Sequence, residues 1–314
     1  SFQYSNSWRL IALLFALFRK QAIAAPLSIW LPQGLVLAQR KQLGLHRWLE
    51  PAMIESLIPN RSVLAASFAE SSFRQPATLL FTSGSSGVPK AALHSQIQHI
   101  LSAMGSNEHI GLEKGDRWLL NLPLYHVGGL AILFRCFLSG ATVVLPDEMN
   151  PYSVQDLSKS AISHISLVPT QLFRILGETV QTSVSPFALK CALIGGAPLS
   201  VQLLRRALEL GWPIASTYGL TEMSSQVTTT KPGNFAFHSG TLLKHRELKV
   251  DSSGEILVKG PTLFSGYWNS GHHLDLPLDP NGWFRTGDLG SLQKDGGLDI
   301  RGRLDHLFIS GGEN

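Results

Sequence analysis

Between residues 82 and 90 the chain reads Thr-Ser-Gly-Ser-Ser-Gly-Val-Pro-Lys, a stretch suited to holding an anion. Thr82, Ser83, Ser85 and Ser86 supply four hydroxyls, while Gly84 and Gly87 let the backbone approach a negative ligand with successive N–H groups facing it. Lys90 adds a point charge at the end of the loop. The glycines stand too close together for a Walker A loop, and Pro89 separates the second from the lysine, so a P-loop kinase or GTPase is disfavoured. A flexible Ser/Gly linker would share this composition. The apolar run Thr78–Thr82 leading directly into it favours a strand followed by a phosphate-binding turn.

That loop needs a frame. From Thr78 to Ser216, short β-rich runs (Thr78–Thr82, Trp118–Asn121, Ala141–Leu145, His164–Val168, Cys191–Ile194, Ile214–Ser216) alternate with helical ones. The helices are expected over Gln96–His109, Leu130–Leu138, Val154–Ser160, Gln171–Leu176 and Val201–Leu210, the last capped by Ser200. Such alternation predicts an α/β fold of layered sheets with flanking helices, strand ends presenting loops to a ligand. After Lys231, short alternating stretches separated by Asp-Ser-Ser-Gly, Pro-Asn-Gly and Lys-Asp-Gly-Gly predict a small β-barrel-like subdomain. The expected organisation is a body over 1–230, truncated at its N-terminus, a β-rich subdomain over 231–302, and a hinge over 303–314.

Composition narrows the function classes. The net charge of +4 is scattered, and its densest group (Arg40, Lys41, His46, Arg47) lacks interleaved aromatics, so nucleic-acid binding is not expected. Cys136 and Cys191 lie far apart, which suggests neither a disulfide framework nor a zinc site and fits a reducing cytoplasm. The apolar run Leu10–Phe18 is too short to span a bilayer, and Arg19 and Lys20 follow it at once, where a signal-peptide reading needs its charge ahead of the run. A buried helix is expected there, and no stable membrane insertion. The chain begins at Ser1 and stops just after a glycine pair, so both ends look cut.

Three further strings follow the loop in order: Ser216-Thr-Tyr-Gly-Leu-Thr-Glu222, Trp283-Phe-Arg-Thr-Gly-Asp-Leu-Gly290 and Gly302-Arg-Leu-Asp-His-Leu-Phe-Ile-Ser-Gly-Gly-Glu313, with Gly195-Gly-Ala-Pro198 upstream. Each alone has an ordinary explanation as a capped helix start or a β-turn. Together with the loop, they make the chain resemble the adenylate-forming superfamily of acyl-CoA synthetases, luciferases and peptide-synthetase adenylation domains. The resemblance implies ATP and Mg²⁺, with Thr82, Ser83, Gly84, Ser85, Ser86, Gly87 and Lys90 around the phosphates. It places Thr221 on phosphate, Glu222 on the metal, Tyr218 against adenine with Gly219 beside it, and Gly195, Gly196 and Ala197 along the base. Asp288 would accept the ribose hydroxyls, Arg303 would contact ribose or phosphate, and Asp305 would sit at the hinge. Physical chemistry agrees about Glu222: a carboxylate beside phosphates repels them unless a hard divalent cation lies between. No side-chain nucleophile is needed, and no G-x-S-x-G motif occurs.

Leu122-Pro-Leu-Tyr-His-Val-Gly-Gly-Leu-Ala-Ile-Leu-Phe-Arg135 and His164-Ile-Ser-Leu-Val-Pro-Thr-Gln-Leu-Phe-Arg174 resemble the acid pocket of the o-succinylbenzoate–CoA ligases of menaquinone and phylloquinone synthesis. This implies an aromatic dicarboxylate and coenzyme A as co-substrates, with His126, Arg135, Thr170 and Gly195 at the acid and His126 among the catalytic candidates. Gly128 stands where some relatives carry a Ser, so no hydroxyl contact is expected there. Arg135 interrupts an apolar helix, where an unpaired cation is costly. A second substrate carboxylate would give it a bidentate partner, whereas an internal salt bridge or a stem reaching to water would explain it without a ligand. The resemblance also implies a lysine in a C-terminal domain beyond Asn314, so poor adenylation by these 314 residues alone is expected. Another aryl- or acyl-CoA synthetase, an adenylation domain, and a silent nucleotide-binding module remain alternatives. A homodimer is left open.

Overall fold

The structure is a computed structural model, and it describes residues 1–44, 47–56, 73–82, 89–146, 150–182, 188–269, 271 and 273–306. Its largest sheet has seven strands, in the order Thr241–Leu242, Ser225–Thr229, Ile214–Leu220, Cys191–Ile194, His164–Leu167, Arg117–Leu119 and Thr142–Val144. The last five run parallel; Ser225–Thr229 pairs antiparallel with both of its neighbours. Parallel strands need covering on both faces, and the alternation of side chains shows it. Trp118 and Leu193 point into a core built with helices Trp8–Arg19 and Val127–Ser139. Leu119, Ala192 and Ile194 point into a second core with Leu172, Leu204 and Trp212.

The expected helices form as Gln96–Ile110, Val127–Ser139, Val154–Lys159 and Val201–Glu209 with small shifts of boundary, while the expected Gln171–Leu176 extends to Pro169–Thr182. Ser200 caps the last by accepting from Leu203 N, as its position before the apolar run implied. Ser95 and Gln98 form a reciprocal capping box on Gln96–Ile110. Leu10, Leu13, Leu14 and Phe18 bury one stripe of Trp8–Arg19. Among the described residues, no helix is long and apolar enough to cross a membrane.

The segment Lys90–Ser95 is a strand that sequence periodicity did not reveal. It pairs antiparallel with Pro76–Thr82, putting Lys90 opposite Thr82. Pro76–Thr82 and Lys90–Ser95 are therefore the two strands of a hairpin. On its other side Lys90–Ser95 pairs with Gly266–Trp268, which pairs with Leu274–Asp275 to complete a four-stranded antiparallel sheet. A second antiparallel sheet contains Glu247–Val250, Glu255–Lys259, Phe284–Leu292 and Leu298–Arg303. Ile256, Val258, Phe264, Phe284 and Leu298 gather with Met223 and Val227 in a third core, which fastens this sheet to the seven-stranded one. Thr241–Leu242 and Gly266–Trp268 thus lie in sheets built largely from earlier strands.

Candidate functional site

A cleft of about 1130 Å³ opens where the three large sheets converge. Gly195–Leu199, Ser216–Glu222, Ser225 and Gln226, the hairpin residues Thr82 and Lys90, Tyr267, and the strand residues Thr286–Asp288 with Arg303 all line it. The seven-stranded sheet contributes the carboxyl ends of Cys191–Ile194 and Ile214–Leu220, where open α/β sheets hold ligands.

Two glycines at these strands stand where a Cβ would collide with a neighbour. A Cβ on Gly219 would lie 2.2 Å from the Ser225 carbonyl oxygen across the strand pair. One on Gly195 would lie 2.7 Å from Thr217 Cγ2. Directly after Leu220, Thr221–Met223 forms a short 3₁₀ turn presenting Glu222. The buried His94 ring supports this turn, donating from Nε2 to the Thr221 carbonyl at 2.8 Å. Burial pushes His94 down to about 4, so its ring is neutral at neutral pH.

Tyr267 bridges the hairpin and that turn. Its hydroxyl donates to Glu222 Oε1 at 2.6 Å, and Lys90 Nζ lies 4.9 Å from its ring centroid. Burial first, then the Glu222 charge, raises the Tyr267 phenol, which keeps it a neutral donor. On the far wall, Tyr218 donates to Asp288 Oδ2 at 2.7 Å and Arg303 Nη1 donates to Oδ1 at 3.0 Å. The antiparallel register sets this pairing, since Asp288 faces Arg303 across two strands. Burial raises the Asp288 carboxyl, opposed by the Tyr218 hydrogen bond and the Arg303 charge. A carboxylate has about four acceptor sites, so Asp288 keeps capacity for further hydroxyl donors. Arg303 Nε also donates to Asp305 at 3.0 Å.

Deeper in the cleft, Arg135 is 1% exposed and, among the described residues, has no carboxylate partner. This rules out both the internal salt bridge and the stem reaching to water among those residues. Its Nη2 instead donates to Ser225 Oγ at 3.2 Å and Gln226 Oε1 at 2.5 Å, and its guanidinium lies 5.2 Å from the Trp118 ring centroid.

The expected residues Thr82, Lys90, Arg135, Gly195, Gly196, Ala197, Tyr218, Gly219, Thr221, Glu222, Asp288 and Arg303 all line one cleft. Two expected substrate contacts do not. His126 is exposed at the N-cap of Val127–Ser139, its ring edge on Tyr125, and Thr170 is exposed in the first turn of Pro169–Thr182. Ser83, Gly84, Ser85, Ser86 and Gly87 lie outside the described residues. Tyr267, Ser225 and Gln226 were missed. Tyr267 stands in a Gly-Tyr-Trp run with no motif around it, and the other two read as ordinary strand residues.

No cluster of three or more His, Cys, Asp or Glu among the described residues forms a self-contained metal site. Glu222 lines the cleft, and its Oε2 has no hydrogen-bond partner among the described residues. A single carboxylate fits Mg²⁺, which is usually bound through one or two carboxylates together with substrate phosphates.

Residues 48–268 match the family described as AMP-binding enzyme. The 2-succinylbenzoate–CoA ligase of Bacillus subtilis is 36% identical over 252 residues, which are 76% of this chain and 51% of that protein. Its counterpart in Bacillus velezensis is 38% identical over 255 residues. The chain spans about half the length of the curated relatives it matches. Among solved structures, wild-type MenE from E. coli, with a bound m-phenylether-linked analogue of OSB-AMS, matches with a TM-score of 0.83 at 34% identity, covering 99% of this chain and 68% of that one. O-succinylbenzoate coenzyme A synthetase from Bacillus subtilis, in complex with ATP and magnesium ion, gives 0.83 at 29% identity, covering 100% and 71%.

Proposed function

The chain belongs to the AMP-binding enzyme family, and from that premise we propose that it is the nucleotide- and acid-binding part of an ATP-dependent o-succinylbenzoate–CoA ligase. The reaction joins the substrate carboxylate to the α-phosphorus of ATP and expels pyrophosphate. The thiol of coenzyme A then attacks the acyl carbon and AMP leaves.

Two anions must meet in the first step, so positioning and charge compensation carry most of the catalysis. Lys90 brings a positive charge to the polyphosphate side, and Thr82 and Thr221 bring hydroxyls. Glu222 would hold Mg²⁺, its Oε1 kept in place by Tyr267; the bound ion supplies neutralisation of phosphate charge. Asp288, held by Tyr218 and Arg303, is placed to accept the ribose hydroxyls. Gly195, Gly196 and Ala197 leave room for a flat base against backbone. In the deep end, Arg135 faces the substrate carboxylate that does not react.

The observation carrying the choice of acid is Arg135, a buried cation in the cleft wall with no carboxylate partner among the described residues. A fatty acid has no group to meet it; a dicarboxylate has. Names of the similar proteins point the same way. The test is ATP–pyrophosphate exchange by the full-length protein across a panel of acids. Exchange with o-succinylbenzoate well above that with fatty, amino and simple aryl acids is expected. Exchange only with one of the others would remove the assignment of substrate while leaving adenylation.

A further inference from the structure

Arg135 has a companion. Arg246, directly before strand Glu247–Val250, is 6% exposed and also has no carboxylate partner among the described residues. Buried guanidiniums usually need an ionic partner to offset lost hydration. Both here are held by neutral oxygens, and Gln226 joins them. Its Oε1 accepts from Arg135 Nη2 at 2.5 Å and from Ser106 Oγ at 2.6 Å, and its Nε2 donates to Thr229 Oγ1 at 2.6 Å. Its backbone carbonyl accepts from Arg246 Nε, while Arg246 Nη2 donates to the carbonyl and hydroxyl of Ser102. Gln226 is 2% exposed, yet it lines the cleft beside Arg135. Burial lowers Arg135 to about 10 and Arg246 to about 9, the latter also through the Arg135 charge, and both stay cationic at neutral pH.

A residue of this shape and place has two chemical forms, amide and carboxylate. Either would accept the hydrogen bond from Arg135. Only the carboxylate would also cancel its charge and repel an approaching anion. We propose that Gln226 is a positioning residue that sets this site's preference for an acid bearing a second carboxylate: it orients the Arg135 guanidinium through a neutral acceptor and leaves the positive charge for the ligand. The inference rests on Arg135 facing the non-reacting carboxylate, and adds the residue that keeps that cation available.

The experiment measures kcat and KM for pyrophosphate exchange by the full-length protein with o-succinylbenzoate and with the matched monoacid lacking the non-reacting carboxylate. The readout is the ratio of kcat/KM for the two acids within one preparation, which cancels any change in the folded fraction. Gln226→Glu is expected to lower this ratio about 100-fold, mainly through KM for the dicarboxylate. Gln226→Met, which keeps the volume and the charge of Arg135 but loses the acceptor, is expected to lower it only about tenfold. Equal ratios for Q226E and Q226M, or a Q226E ratio within threefold of wild type, would overturn the role of Gln226 while leaving the dicarboxylate assignment standing. A wild type that does not prefer the dicarboxylate would overturn both.

Discussion

Glu222 and Tyr267 meet although 45 residues separate them, and their hydrogen bond leaves one carboxylate oxygen for a cation. Glu222→Gln keeps the shape and removes the charge, so Mg·ATP affinity measured by calorimetry should fall tenfold or more, on the order of 1.4 kcal/mol or above. An unchanged titration would favour a nucleotide-binding module that has lost its chemistry. Tyr267→Phe loses only the donor and leaves Glu222 less constrained. About 1 kcal/mol, or roughly a fivefold weakening of Mg·ATP binding, is expected in the same titration. Of this pair, Glu222 was legible because it ends a motif. Tyr267 was not, because a lone tyrosine in a short strand carries no local mark of its partner.

At the scale of elements, the strands around the cleft pack too closely for side chains at particular positions. Gly219 faces Gln226 across the strand pair, and a Cβ there would collide with the Ser225 carbonyl oxygen at 2.2 Å. Gly219→Ala should therefore cost about 3 kcal/mol in urea unfolding, through forced separation of the two strands that carry Tyr218 and Gln226. Gly177 is the contrasting case: it is exposed inside helix Pro169–Thr182, and nothing lies within 4 Å of its Cβ position. Gly177→Ala should stabilise by about 0.5–1 kcal/mol in the same assay. Helices were the most legible elements, since their apolar period and caps are local. The strand Lys90–Ser95 was hidden because Ala91, Ala92 and Leu93 are all buried, which removes the alternation that marks a half-exposed strand.

Across the whole molecule, acid sensitivity follows from histidines enclosed between layers. His94 and His99 lie 5.0 Å apart, His99 paired through Nε2 with Thr78 Oγ1, and His164 is stacked on Trp118. Burial lowers all three below their ordinary value of 6.5, His94 to about 4. Below pH 6.5 the unfolded chain takes up protons that the native state refuses until about pH 4, so stability falls as pH falls through that window. His94 alone contributes a loss of about 3 kcal/mol across it. Urea midpoints at a series of pH values should be flat above about pH 7 and decline below about 6.5. His94→Gln, which retains a donor for the Thr221 carbonyl, should flatten part of the decline.

Sequence alone was sufficient for the chemistry whose parts lie within a few residues of one another. The Thr221–Glu222 turn and the helix caps belong to this class, because backbone geometry and short spacing already place those groups. It also carried the alternation that gave the layered α/β body. Tertiary structure alone decided which distant groups share a hydrogen bond: Tyr267 with Glu222, Tyr218 and Arg303 with Asp288, Gln226 with Arg135. It also left His126 and Thr170 out of the residues that line the cleft. The reason is physical: a buried polar group takes whichever partner packing brings within about 3 Å, and distance along the chain has no bearing on that.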